Sequence, residues 1–588
     1  MLTMPASLAP RPSSSLHRRL LAAAVAAALA LGGPPARASF VEPVAARHAM
    51  VVSTSPIASR VGLDILEHGG NAADAAAAVA LALAVVWPSA GNLGGGGFFL
   101  WRGADGKAEV IDYRERAPAA ASRDMYVDDR GQIIAGASTT GFRAAGVPGT
   151  PAGLQMMVDR HGRMGGRWKA LIEPALRLAR GGFVVDGHLA HTLRDAEKLL
   201  AKFPESARVF LRDGHPLAVG DRLVQPDLAR TLAAFAERGP ARAFYGGPIG
   251  ARLVQAVADG GGLLTEADLT EYRAVVRAPL LGSYRGHTIL TVPSPSSGGI
   301  LLLEELGILE HFPLPELAFH SADEIHYLVE AMRRAFADRS ALLGDADFVK
   351  VPVRGLTSRG YLDARAATID PQKATPSRAL PASDPLPFEP PETTHFTIVD
   401  AEGNVVSNTY TLNGSFGCGA VAAGTGILLN NEMDDFASKP GVPNVYGLIQ
   451  GEANAIAPRK RPLSTMTPTM VLEGDRLLFA IGSPGGPTIV NTVLQIIVNM
   501  VDHHMNLREA IEAPRVHHQF LPDLIFVEKW GLSPETRAAL SARGHVFAPP
   551  EAPFPPYIGD AHGIAIGPAT GVRLGAADPR MGGAAMGY

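Results

Sequence analysis

Seven prolines fall between residues 371 and 391: Pro371, Pro376, Pro381, Pro385, Pro387, Pro390 and Pro391. Each removes a backbone donor and fixes φ, so the run cannot sustain a helix or a central strand. An exposed, extended connector is predicted over 371–392. The texture changes directly after it. Thr393-Thr394-His395-Phe396-Thr397-Ile398-Val399 is rich in β-branched residues and reads as a strand. Asp400 to Asn404 is a turn cluster with a glycine, and Val405 to Leu412 is a second strand, which makes a hairpin. With the turn centred on Glu402, antiparallel register sets Val399 opposite Val405 and Thr393 opposite Thr411. Asn413, two residues on, shares the face of Thr411. A Thr–Thr strand pair is the plain reading of this arrangement.

The position of Thr393 gives that pair a second reading. If the Glu392–Thr393 bond breaks, Thr393 becomes a chain terminus whose α-amino group sits beside its own hydroxyl. A free α-amino group has a pKa of about 7.7–8.0, so near neutral pH it can serve as general base. A hydroxyl nucleophile is then activated without a histidine.

The remaining sequence bounds the class of protein. The chain has 588 residues, 47% hydrophobic and 19% charged, which is globular composition with length for a large core. The net charge of −4 gives no basic surface for nucleic acid, and no polybasic membrane patch is seen. A single cysteine, Cys418, excludes an intramolecular disulfide and a cysteine-based zinc site. At the start, His17-Arg18-Arg19 precedes an apolar run from Leu20 to Leu31 and then Ala36-Arg37-Ala38. That is a secretory signal pattern over residues 1–38, with an uncleaved anchor as its alternative. Periplasmic or secreted placement follows, the paired arginines being a weak pointer to twin-arginine export.

Along the chain, residues 58–87 read as two helices separated by Gly69-Gly70, with Asn71 or Asp74 capping the second. Gly91 to Gly97 is a glycine-rich loop entering a strand; it lacks the Lys-Ser/Thr of a phosphate loop, so close backbone packing is expected. Thr288 to Val292 is a short apolar run, and Pro293 to Gly299 is a tight loop before a helix starting at Ile300. Arg476 to Ile481 reads as a strand and a helix lies near 488–502. This is mixed α and β, two sheets with helices outside. His503-His504 and His517-His518 are adjacent pairs without an HExxH, so structural roles rather than metal are expected, and no metal or cofactor is called for. No G-x-S-x-G elbow is present.

Several segments together resemble the γ-glutamyltransferase (γ-glutamyl transpeptidase) family: Asp112-Tyr113-Arg114-Glu115-Arg116-Ala117-Pro118, Thr393-Thr394-His395-Phe396, Thr409 to Asn413, Leu428 to Phe436, Arg461 to Met466 and Gly482-Ser483-Pro484-Gly485-Gly486. The match runs in family order from about residue 42 to the end. The resemblance implies an α+β N-terminal-nucleophile hydrolase fold, a four-layer αββα sandwich. It implies a precursor that cuts itself into a large subunit (39–392) and a small catalytic subunit (393–588) that stay together. Thr393 is then the nucleophile, Thr411 its hydrogen-bond partner, and Gly485 and Gly486 the backbone donors to the oxyanion. Arg114, with Ser464 and Thr465, would grip the α-carboxylate of a γ-glutamyl group, and Glu432, Asp435 and Asn413 its ammonium. Taken singly, Glu432 and its acidic neighbours read as a solvated turn, and Arg114 with Glu115 as a surface ion pair. Tyr446 lies in a segment, Pro440 to Gly451, similar to a lid loop of some members. Position 465 departs from the family pattern, threonine standing where serine is familiar. Expected partners are glutathione and other γ-glutamyl compounds, with water, amino acids or dipeptides as acceptors. A glutaryl or cephalosporin acylase of the same fold is the nearest alternative, and a non-catalytic exported binding protein the third.

Overall fold

A computed structural model describes residues 41–380, 393–549 and 557–588. The expected signal segment and the end of the connector, 381–392, lie outside the described residues.

Fourteen strands build two large sheets. In chain order they are β1 (Val44–Ala46), β2 (Met50–Ser53), β3 (Gly96–Arg102), β4 (Ala108–Asp112), β5 (Val275–Arg277), β6 (Leu280–Tyr284), β7 (His287–Thr291), β8 (Thr394–Val399), β9 (Val405–Thr411), β10 (Thr469–Glu473), β11 (Arg476–Gly482), β12 (His562–Ile566), β13 (Arg573–Ala577) and β14 (Ala584–Gly587). One seven-stranded sheet has the order β1-β13-β12-β11-β10-β7-β6, and the other has the order β14-β2-β8-β9-β3-β4-β5. Neighbouring strands are antiparallel throughout.

The strands are apolar on both faces because both faces are covered. On β3, Phe98 and Leu100 join Met50, Val405, Met470 and Ile564 in a core between the sheets. Phe99 and Trp101 point the other way, into a core shared with the helices α1 (Pro56–Glu67) and α2 (Ala72–Val86). The other sheet sends Ile289, Phe479 and Ile481 toward α3 (Gly298–Leu309), α4 (Ala322–Leu342) and α5 (Thr488–Val501). The layers therefore run helix, sheet, sheet, helix, as the family resemblance implies.

Local expectations are met closely. Asn71 and Asp74 both act at the start of α2, the Asn71 side chain accepting from Asp74 N–H while Asp74 accepts from Asn71 N–H. Every residue of α2 is buried, which explains an all-round apolar sequence too short to span a bilayer. Among the described residues no helix is long and apolar enough to cross a membrane. The described part of the connector differs from the extended form expected of it. Ser377–Ala379 make a 3-10 turn, and Thr375 and Ser377 donate backbone N–H groups to Glu330 and Asp523. Two carboxylates, the buried Glu330 and the part-exposed Asp523, thus anchor a segment that its proline content alone describes as extended.

Candidate active site

The hairpin has the expected register, Val399 facing Val405 and Thr394 facing Tyr410. The ladder stops there, and Thr393 and Thr411 are the next residues on the two strands. Alternation then assigns the faces. Phe396, Ile398, Val406 and Tyr410 belong to the helix-side core, whereas Val399 and Val405 belong to the core between the sheets. Thr393, His395 and Thr397 share the face of Val399, and Thr411, Thr409 and Ser407 share that of Val405. This inner face is a polar row. His395 Nδ1 and Nε2 lie 2.8 and 3.1 Å from the hydroxyls of Thr409 and Thr397, and Thr397 donates to the His562 carbonyl at 3.0 Å. Burial holds the His395 ring well below its ordinary pKa, so it is neutral.

The opposing sheet delivers the glycine loop to the same end. Ser407 donates to the Ile481 carbonyl at 3.3 Å, and a Cβ on Gly482 would overlap the His395 ring. Passing from Ile481 to Gly482 moves from Ser407 to His395, toward the end of the hairpin at which Thr393 stands. Gly485 and Gly486 have φ of 131° and 52°, conformations suited to glycine. Behind Thr411, the loop of Gly91 to Gly97 packs its backbone on β9: Asn92 donates to the Thr411 carbonyl at 2.8 Å, and a Cβ on Gly95 would overlap that oxygen. This is the close packing expected of that loop.

The charged residues converge just past Thr411. Asn413 (φ 77°) donates its N–H to Thr411 Oγ1 at 2.8 Å and its amide to the Asn431 carbonyl at 3.0 Å. That brings the 3-10 turn Glu432–Asp435 alongside the end of the hairpin. Arg114, just beyond β4, is fully buried; its guanidinium bonds to Glu432 and Asp435, and its Nε donates to the Pro462 carbonyl at 3.3 Å. The three residues assigned to opposite ends of a substrate thus hold one another. Glu115 lies 3.5 Å from Arg114, buried rather than at the surface, and neither of its carboxylate oxygens has a hydrogen bond. Burial pushes the Glu115 carboxyl up to about 8. Burial also raises Glu432 and Asp435, against the pull of Arg114. Burial acts against the Arg114 charge too, but Glu432, Asp435 and Glu115 outweigh it and raise its pKa. A second buried cation, Arg339 on α4, acts on Asp435 and is lowered by burial to about 10, still charged at neutral pH.

Two expected substrate contacts also meet protein groups. The Thr465 hydroxyl donates to the Gly486 carbonyl at 2.7 Å, so its proton serves the glycine loop rather than a ligand. Ser464 Oγ accepts from Met466 N–H at 3.1 Å. Tyr446 is buried, and its hydroxyl bonds to Asn413 Oδ1, with its own carbonyl held by Gln519 at 3.1 Å. The segment around it is therefore folded down on the site. Three of these four histidines have protein partners: His503 meets Glu324 at 2.7 Å, while His517 and His518 are buried among Asn491, Gln519 and Asp523. Cys418 is buried, which pushes its thiol up to about 12. Sequence reading did not single out Arg339, whose only signal is a basic residue inside an otherwise buried helix face.

The family model for gamma-glutamyltranspeptidase matches residues 58–588. The chain belongs to the gamma-glutamyltranspeptidase family. It is 48% identical over 539 residues to a glutathione hydrolase proenzyme of Escherichia coli K12, covering 92% of this chain and 91% of that one. Among solved structures, a cephalosporin acylase from Bacillus halodurans is similar with a TM-score of 0.81 and 27% identity, covering 95% of this chain and 99% of that one. The gamma-glutamyltranspeptidase of Helicobacter pylori is similar with a TM-score of 0.55 and 38% identity, covering 59% of this chain and 97% of that one. Family membership accounts for the four-layer fold and makes this chain a self-processing γ-glutamyltransferase and glutathione hydrolase.

Proposed function

We propose that Thr393, freed at its amino end by cleavage of the Glu392–Thr393 bond, carries γ-glutamyl groups from glutathione and related amides to water or to amino acid and peptide amines. The observation that carries this reading is the buried Arg114–Glu432–Asp435 cluster at the end of the hairpin that begins with Thr393. A γ-glutamyl group presents a carboxylate and an ammonium on one carbon. The carboxylate takes the fork of Arg114 while the ammonium takes the carboxylates that Arg114 releases. The zwitterionic head adds no net charge to the cluster.

The chemistry then follows from position. Thr393 Oγ1 attacks the γ-carbonyl and passes its proton to the Thr393 α-amine. The N–H groups of Gly485 and Gly486 take the oxyanion, and its collapse returns the proton to the departing amine. Water or an amine attacks the resulting ester in the same way. No metal or organic cofactor has a part in these steps. The apolar segment before residue 38 directs export in this reading, and the two subunits are 39–392 and 393–588.

A glutaryl or cephalosporin acylase shares the fold, as the similarity to the Bacillus halodurans structure illustrates. Glu432 and Asp435 argue against it, because a glutaryl group has no ammonium for them. The deciding measurement is the intact mass, under denaturing conditions, of wild type beside Thr393→Ala, together with turnover of a γ-glutamyl anilide. Two wild-type polypeptides, the smaller beginning at Thr393, with an inactive single-chain variant, are expected. An active Thr393→Ala protein would overturn the assignment.

A further inference from the structure

Gly485 and Gly486 are buried, and among the described residues neither backbone N–H meets an acceptor within the protein. Buried, unpaired N–H groups are rare in folded proteins. Something must hold these two in place against turning away to find partners.

The neighbouring carbonyls show what does. A trans peptide points its C=O and its N–H in opposite directions, so pinning one aims the other. Both peptides concerned are trans. The Pro484 carbonyl, paired in one peptide with Gly485 N–H, accepts from Ser483 Oγ at 2.7 Å. Ser483 Oγ in turn accepts from Asp560 N–H at 3.0 Å, which leaves its proton for that carbonyl. The Gly485 carbonyl, paired with Gly486 N–H, accepts twice from Thr488, from Oγ1 at 2.8 Å and from N–H at 3.0 Å. Both hydroxyls are buried and water does not compete for them. Each donor of the proposed oxyanion site therefore has one side chain fixing its peptide plane from behind. The site also sits at the amino end of the 14-residue helix α5, whose dipole favours negative charge there.

We propose that Ser483 and Thr488 are positioning residues for the acyl-transfer reaction: by holding the carbonyls of Pro484 and Gly485, they aim the N–H groups of Gly485 and Gly486 at the oxyanion formed on the γ-carbonyl. The inference rests on Gly485 and Gly486 being the oxyanion donors. Because the oxyanion exists only along the reaction path, loss of either hydroxyl acts on kcat and leaves substrate binding in place.

The test compares wild type, Thr488→Val, Thr488→Ser and Ser483→Ala on a γ-glutamyl anilide, with rates expressed per matured Thr393 terminus counted by intact mass. Removing an oxyanion donor outright costs about 100- to 1,000-fold in kcat, so a donor left in place but free to tilt is expected to cost roughly 10- to 100-fold. Thr488→Val and Ser483→Ala should show that loss with KM within about threefold, and Thr488→Ser should recover most of kcat. A Thr488→Val kcat within twofold of wild type, a loss confined to KM, or a Thr488→Ser loss equal to that of Thr488→Val would overturn the inference. If Thr488→Val melts below wild type and fails to mature, Ser483→Ala, read by the same criteria, decides. Wild type that turns over no γ-glutamyl anilide would instead sink the proposed function, so the two failures are distinguishable.

Discussion

Removing the ammonium from the substrate probes the charge balance of the site most directly. Arg114 is the main counter-ion of Glu432 and Asp435; Arg114 and Glu432 are buried and Asp435 nearly so. A glutaryl amide draws Arg114 to its carboxylate and supplies nothing in return, so Glu432 loses its partner and the pocket gains a net negative charge. Breaking a buried ion pair by removing one partner costs about 3–5 kcal/mol. At about 1.4 kcal/mol per tenfold, that is roughly 140- to 3,700-fold. Asp435 keeps the attraction of Arg339, which places the expectation toward the lower end. The kcat/KM for a γ-glutamyl anilide should therefore exceed that for the glutaryl anilide by at least about 100-fold. Glu432→Gln removes one stranded charge, so the ratio should shrink by about tenfold or more while γ-glutamyl turnover also falls. Wild-type values within tenfold of each other, or a ratio unchanged in Glu432→Gln, would refute the account of Arg114 as a shared counter-ion.

Asp434 gives a stability prediction with a definite sign. Burial raises it from an ordinary 3.8 to about 6, although Ser138 Oγ and Val445 N–H donate to it at 2.6 and 2.9 Å. The folded state therefore takes the proton first as pH falls; the stabilisation is complete below the ordinary pKa and is lost as pH rises through about 6. Relative to Asp434→Asn, wild type should gain up to about 3 kcal/mol between pH 7.5 and 4, read as melting temperature, and a difference flat in pH would exclude it. Tyr446→Phe deletes the bond to Asn413, worth about 0.5–1.5 kcal/mol, while the Gln519 and Asp434 anchors of the loop remain. Limited proteolysis within 440–451 should run several-fold faster in the variant, and an unchanged rate would show that this hydroxyl does not hold the loop.

Most of the strand and helix plan was legible because period and capping agree at each place. The β-branched run after Thr393, the Asp400 to Asn404 turn and the alternation of apolar residues determine one hairpin register, and the structure has it. Asn71, Asp74 and an unbroken apolar run likewise specify a capped, buried helix. What sequence could not supply is which polar groups are buried together. Glu115 and Arg114 are neighbours in the chain and read as an exposed pair, yet distant Glu432, Asp435 and Arg339 complete their surroundings. The Thr465 hydroxyl illustrates the same limit: its residue type fits a substrate contact, and only the fold shows that Gly486 takes its proton. The connector was misjudged in its first part for a related reason, since Glu330 and Asp523, which anchor it, lie far off in sequence.

The placement of Thr393 also explains how a cut chain can remain one working unit. Strand β8 lies between β2, from before the connector, and β9, from after it, while β9 pairs on its other side with β3. Carboxy-terminal β14 adds to β2 in the same sheet, and in the other sheet β13 pairs with amino-terminal β1. Both sheets are thus built from strands on both sides of residue 393, and so is the core between them. Cleavage before Thr393, as proposed, would remove one covalent bond but no rung of either ladder, because the ladder of β8 begins at Thr394. The proposed terminus would gain a free amine while the residues next to it stay fixed by Tyr410 on one side and, from Phe396 onward, by Ser53 on the other. A nucleophile that must be its own base needs that combination: a chain end free to carry an amine, on a strand rigid enough to hold the hydroxyl toward the glycine loop.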